Sequence, residues 1–169
     1  MAESILNGKS ILAVDDEPDI LTLLEEEISE ACPGCKFEQV TAYESAVKLL
    51  TSQTYDVVIL DIMGVRGFDL LAIAVSRNFP VAMLTAHALS PEALKKSIEM
   101  GARAYLPKEK IGEIVPFLEN LLRDEFLPGW KRLLENLKEF FNACWGEYWQ
   151  KAEEKFWKQF DEKTSHTSW

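Results

Sequence analysis

In YDVVILDIMGVRGFDLL, residues 55 to 71, the apolar run Val57-Val58-Ile59-Leu60 stops at Asp61. A carboxylate at the end of a buried strand is costly unless something partners it. The pattern recurs along the chain. Ser10 to Val14 ends in Asp15-Asp16, Pro80 to Leu84 ends in Thr85, and Ala104-Tyr105-Leu106 leads through Pro107 to Lys108. Three carboxylates converging on one edge repel each other without a cation, and a hard divalent ion such as Mg²⁺ takes oxygen ligands of this kind. Lysine supplies a point charge suited to phosphate, and threonine supplies a hydroxyl donor. Aspartate can form an aspartyl phosphate, its developing charge held by metal and lysine. The chemistry indicated is a phosphoryl group carried on a carboxylate.

These residues converge only if the right elements position them. Pro18 suits a first helical turn, and Ile20, Leu21, Leu23, Leu24 and Ile28 recur at helical spacing. Phe37 to Thr41 reads as a strand, Tyr43 to Ser52 as a helix, Val57 to Leu60 as a strand and Phe68 to Val75 as a helix. Pro80 to Thr85 is a strand, and Ser90-Pro91-Glu92 opens a helix that runs to Gly101. Ala104 to Leu106 is a strand and Ile111 to Arg123 a helix. Strand and helix alternate five times, and short, continuously apolar strands imply a parallel sheet covered on both faces. In such sheets sites form outside the carboxyl ends of the strands, where the five residues fall.

The chain has 169 residues, room for one ordinary domain and an extension. A net charge of −10 argues against a nucleic-acid or anionic-lipid partner. No apolar run is long enough to span a bilayer, and the N-terminus lacks a signal pattern, so a cytoplasmic location is expected. Three cysteines, an odd number, argue against a disulfide framework. Cys32-Pro33-Gly34-Cys35 has redox spacing but follows a helix instead of opening one. It reads as a Pro-Gly turn, and one such pair is too few ligands for a closed zinc site.

On ILAVDDEPDIL, VVILDIM, AMLTAHA and AYLPK, in order and in strand context, residues 9 to about 124 resemble the response-regulator receiver domain of two-component signalling. The resemblance implies an α/β, flavodoxin-like, doubly wound (βα)5 parallel sheet of order 2-1-3-4-5. It makes Asp61 the phosphoacceptor, with Thr85 and Lys108 completing the reacting centre. Asp16 binds Mg²⁺ directly, Asp15 mainly through water, and the Met63 carbonyl and Asp61 complete the protein ligands. Thr85 and Tyr105 act as the switch pair, and small Ala86 leaves room for phosphotransfer. The donor is a phosphohistidine on a sensor histidine kinase or phosphotransfer protein, and the output goes to a downstream protein. The chain is then a signalling phosphoacceptor and not an enzyme. His87 is a loop residue that tunes dephosphorylation.

Two departures stand out. Gly67 comes six residues after Asp61, so the loop is about two residues shorter than usual and lacks its proline. Glu109, not proline, follows Lys108, which leaves the state of that peptide bond open and puts a competitor beside the lysine.

From Leu127 the composition changes. We divide the chain into a receiver at 1–125, a helical extension at 126–162 and a flexible tail at 163–169. Pro128-Gly129 punctuates, and Leu134, Leu137, Phe141, Trp145, Tyr148, Ala152 and Phe156 mark a helical stripe. A single helix over 129–162 would be about 50 Å long against a domain of about 30 Å, so its overhang is expected to pair with a second copy. Gly146 is the place to break it into a helical pair. Folding back onto the receiver and lying on a membrane surface are the other readings. Nothing in the tail has the basic surplus that nucleic acid requires. Rival functions are a small Mg²⁺-dependent phosphatase with an aspartyl intermediate, which normally wants an acid where Met63 stands, and a phosphorylation-independent scaffold.

Overall fold

Four of the five strands of the sheet are short runs whose side chains are almost wholly closed off on both faces. The structure, a computed structural model, describes residues 4–166. Strands β1 (Ser10–Val14), β2 (Lys36–Val40), β3 (Val57–Asp61), β4 (Val81–Thr85) and β5 (Ala104–Pro107) form one parallel sheet of order β2-β1-β3-β4-β5. β3 and β4 are buried at every position, as central parallel strands must be. β2 is an edge strand with mostly exposed, polar positions, which blunts it against pairing with other chains.

Helices α1 (Pro18–Ala31), α2 (Tyr43–Ser52), α3 (Gly67–Ser76), α4 (Pro91–Glu99) and α5 (Ile114–Arg123) connect and flank the strands. Ser90 caps α4, its hydroxyl accepting from the Ala93 N–H at 3.1 Å. α5 starts three residues later than the sequence suggests, because Lys108–Glu113 forms a 3₁₀ segment first.

The extension is neither one long helix nor an overhang. It is three helices, α6 (Phe126–Asn136), α7 (Lys138–Trp145) and α8 (Glu154–His166), with a 3₁₀ turn at Trp149–Glu153. Pro128 lies in the first turn of α6, where its missing N–H costs no intrahelical bond. The helix breaks at Leu137 and again at Gly146, whose φ of +90° ends α7. Each break resets the helical phase, so the predicted stripe holds at Leu137 and Phe141 but fails at Tyr148 and Ala152, which are exposed. Trp130, Leu133, Leu137, Phe141, Trp157 and Phe160 are buried and join the core of the sheet. α6 lies against β5 and α5. That explains why β5, an edge strand by order, is buried throughout. Of the extension's large apolar side chains only Tyr148 is among the strongly exposed, so the surface on which the homodimer expectation rested is used within the chain. Residues 163–166 continue α8; the remainder of the expected flexible tail lies outside the described residues. Among the described residues no helix is long and apolar enough to cross a membrane.

Cys32 and Cys35 flank the turn from α1 to β2, the Cys35 N–H bonding to the Cys32 carbonyl. Burial first, then the neighbouring Cys32, pushes the Cys35 thiol up to about 12. That is the reverse of redox activation and agrees with a structural turn.

Two outcomes are expected. At pH 7.5 a soft alkylating reagent should label exposed Cys144 well before Cys32 or Cys35, as peptide mapping against time would show. Trp130 is fully buried and its indole N–H donates to the Ala102 carbonyl at 2.8 Å. Trp130→Ala should cost about 3–5 kcal/mol, and Trp130→Phe about 1–3 kcal/mol, through the unpaired carbonyl. Urea unfolding unchanged in both variants would mean that α6 does not hold the β5 edge.

Candidate functional site

β1 and β3 are adjacent and parallel, so their carboxyl ends put Asp15 and Asp61 side by side. Asp15 is fully buried and Asp61 nearly so, while Asp16 is exposed. One carboxylate oxygen from each lies within 4.8 Å of the others. Lys108, at the end of β5, reaches across with its ammonium 3.0 Å from Asp15 Oδ2, 3.1 Å from Asp61 Oδ1 and 3.1 Å from Glu17 Oε2. Its side chain is only 12% exposed. Burial alone would pull that ammonium down; its close contacts with Asp15 and Glu17 and the charges of Asp61 and Asp15 outweigh it and hold it above its ordinary value. Asp15 goes the other way for a carboxyl. Burial and the Asp61 charge push it up to about 6, against the pull of the Glu17 N–H and Lys108.

The shortened loop after Asp61 closes without a proline. Asp61 Oδ2 accepts from the Gly64 N–H at 2.9 Å, the Gly67 N–H bonds to the Ile62 carbonyl, and Arg66 turns the chain into α3 with φ of 56°. The Arg66 guanidinium covers the Tyr43 ring at 4.2 Å and pairs with Asp69 at 2.8 Å, which offsets part of the cost of that backbone, about 1–2 kcal/mol. The glycines are required by space. A Cβ on Gly64 would sit 2.1 Å from Asp16 Oδ1 and 2.6 Å from Asp61 Oδ2, and one on Gly67 would sit 2.2 Å from the Asp61 carbonyl oxygen.

Thr85 ends β4, buried, its hydroxyl 3.4 Å from the Ala86 carbonyl. The following 3₁₀ turn, Ala86–Ala88, and the Leu89 that caps it hold a run of three positive-φ residues: His87 at φ 51°, Ala88 at φ 61° and Leu89 at φ 57°. None is glycine, and each costs about 1–2 kcal/mol there. Tyr105 is fully buried and its hydroxyl donates to the Ala88 carbonyl. Burial pushes that hydroxyl above its ordinary range, while the Thr85 hydroxyl and the Ser90 backbone pull it down.

A cleft of about 230 Å³ opens over these groups, lined among others by Asp16, Asp61, Met63, Thr85, Ala86 and Lys108. Asp15 and Tyr105 are fully buried and do not line it. One group was not anticipated, and the expected competitor has another partner. Glu17, also lining the cleft, is the competitor for Lys108; the signal was its place directly after Asp15-Asp16. Glu109 instead holds His87, its carboxylate 2.9 Å from Nδ1 and 3.3 Å from the backbone N–H. The Lys108–Glu109 bond is trans, as there is no cis peptide among the described residues.

The donor set fits a hard divalent cation. All its side-chain donors are oxygens, formal negative charge exceeds the single ammonium, and Asp15 Oδ2, buried, has the Lys108 ion pair without an aligned hydrogen bond.

The family model "Response regulator receiver domain" matches residues 11–118. Over 107 residues the chain is 37% identical to the "Two-component response regulator ARR18" of Arabidopsis thaliana and 33% identical to the "Transcriptional regulatory protein TcrA" of Mycobacterium tuberculosis. These matches cover 60% and 61% of this chain, and 16% and 41% of the relatives. The chain thus spans well under half the length of either. Among solved structures, the receiver domain of the Francisella response regulator 1452 matches with a TM-score of 0.60 and 26% identity, over 68% of this chain and 97% of that one. A response regulator from Thermotoga maritima shares the fold, with a TM-score of 0.61 and 16% identity over 69% and 98%. With the acid cluster, the hydroxyl and the lysine at the carboxyl edge of a 2-1-3-4-5 sheet, these matches establish that the chain belongs to the response-regulator receiver family.

Proposed function

We propose that Asp61 accepts a phosphoryl group from a phosphohistidine of a sensor histidine kinase or phosphotransfer protein, and that the chain signals by protein contact. The observation that carries this is the setting of Asp61. Its Oδ1 faces Lys108 Nζ at 3.1 Å and its Oδ2 faces the Gly64 N–H at 2.9 Å, at the floor of an open cleft. One carboxylate oxygen attacks phosphorus as the donor imidazole leaves. Lys108 then faces a phosphoryl oxygen, the Thr85 hydroxyl can donate to another, and small Ala86 leaves the approach open. Asp15, Asp16, Asp61 and the Met63 carbonyl would hold Mg²⁺, which when bound neutralises charge on the transferring group. The phosphatase reading lacks its second acid, since Met63 stands there. A homodimer through the extension is the weaker reading of the output, since the aromatic surface it would use is folded onto β5. A cytoplasmic location goes with a kinase donor.

With acetyl phosphate and Mg²⁺, intact-mass measurement should show one added phosphoryl group on the wild type and none on Asp61→Asn; the adduct surviving in Asp61→Asn would refute the assignment. Mg²⁺ affinity should also depend on acidity. Asp15 sits at about 6 against an ordinary 3.8, so below about pH 6 the folded chain holds a proton that the ion must displace. Calorimetric titration should show affinity falling by up to about tenfold per pH unit below that point. In the metal-free chain the sign is opposite: the preference of the fold for protonated Asp15 stabilises below about pH 4 and is lost as pH rises through about 6.

A further inference from the structure

We infer that the C-terminal extension is an intramolecular ligand for the surface formed by Tyr105 and the Ala86–Leu89 turn, and that a phosphoryl group on Asp61 loosens it. This rests on Asp61 being the phosphoacceptor.

The extension is gripped at three points. The Phe141 ring meets Tyr105 edge-on at 6.1 Å, and α7 packs on the Ala86–Ala88 turn. Lys110 lies over the Phe140 ring at 5.5 Å. Lys95 of α4 pairs with Glu153 at 2.9 Å and covers the Phe156 ring at 5.3 Å. Rings then run on from Phe141: Trp145 stacks at 4.7 Å, and Trp149 and Trp157 follow edge-on. A change at Tyr105 therefore reaches the whole aromatic cluster.

Two of these grips lie on segments that leave the acid site directly. The turn follows Thr85, and Lys110 follows Lys108 by two residues. The turn is also held in a costly conformation, three positive-φ residues fixed by the Tyr105 hydroxyl on Ala88 and by Glu109 on His87. Such a segment has a relaxed alternative whenever its holding contacts are outbid. A phosphoryl group on Asp61 supplies a strong acceptor near the Thr85 hydroxyl and a new anion for Lys108. Drawing Thr85 inward shifts Ala88 away from Tyr105 and removes the footing of α7. Released, Phe141, Trp145 and Trp149 become an apolar face for a partner. Linkage makes the effect reciprocal: weakening the extension must tighten ligand binding at Asp61.

The molecule carries its own probe, since four of the five tryptophans (Trp130, Trp145, Trp149 and Trp157) lie in the extension and none lies in the receiver. Beryllofluoride with Mg²⁺, a phosphoryl mimic, is titrated into the full chain. ¹⁹F NMR reads binding at Asp61, while tryptophan emission and acrylamide quenching read the extension. Bound mimic should shift emission to the red and raise quenching. Phe141→Ala should show both changes without mimic and bind the mimic about fivefold more tightly. Lys95→Ala, a change outside the core, should move in the same direction and guards against a misfolded Phe141 variant. Mimic bound with tryptophan signals unmoved and affinities equal in the variants overturns the inference but spares the phosphoacceptor. No bound ¹⁹F signal in the wild type overturns the phosphoacceptor reading, and the inference with it.

Discussion

One half-buried ammonium organises this molecule. Lys108 Nζ stands among Asp15, Asp61 and Glu17, each within 3.1 Å. Three carboxylates around a single lysine leave negative charge uncompensated, two of them, Asp15 and Asp61, being buried, and a buried charge without full compensation costs several kcal/mol. Arrangements of this kind persist where function needs the surplus. Here the surplus can be met by a cation and by a group carried on Asp61, so the site is strained toward ligation. The sheet supplies the rigidity: β1, β3 and β5 fix the backbone positions of the carboxylates and the lysine at their carboxyl ends.

That constraint propagates along β5. The strand that ends at Lys108 also carries Tyr105, and its outer edge would be open if the chain stopped at α5. The extension closes it, with Trp130 inserted to the Ala102 carbonyl and Phe141 against Tyr105. The last strand is therefore anchored on one side by the charged site and on the other by an aromatic cluster.

Much of this was readable from residue order. Continuous apolar runs marked the strands, because central parallel strands are buried on both faces. The polar residue ending each run marked the site, because strand ends in a 2-1-3-4-5 sheet share one edge. The extension was less legible. A stripe at helical spacing assumes one uninterrupted helix; the break at Gly146 was marked by its glycine, but the break at Leu137 has no such residue to announce it. The exchange of roles between Glu17 and Glu109 was hidden for a similar reason. Adjacency in sequence put Glu109 beside Lys108, but the 3₁₀ segment at Lys108–Glu113 points it toward His87 and leaves the lysine to a residue 91 positions away.

The positive-φ run His87-Ala88-Leu89 is where local preference and tertiary structure disagree most. No propensity places three such residues together without glycine, so the conformation must be imposed by Tyr105, Glu109 and α7. Local and global preference usually agree in a foldable sequence, and a concentrated conflict tends to fall where a protein has to change state. The conflict here directly follows Thr85 and packs against α7, which carries Phe141. A segment balanced between the site and the extension can respond to a change of charge at one by altering its grip on the other.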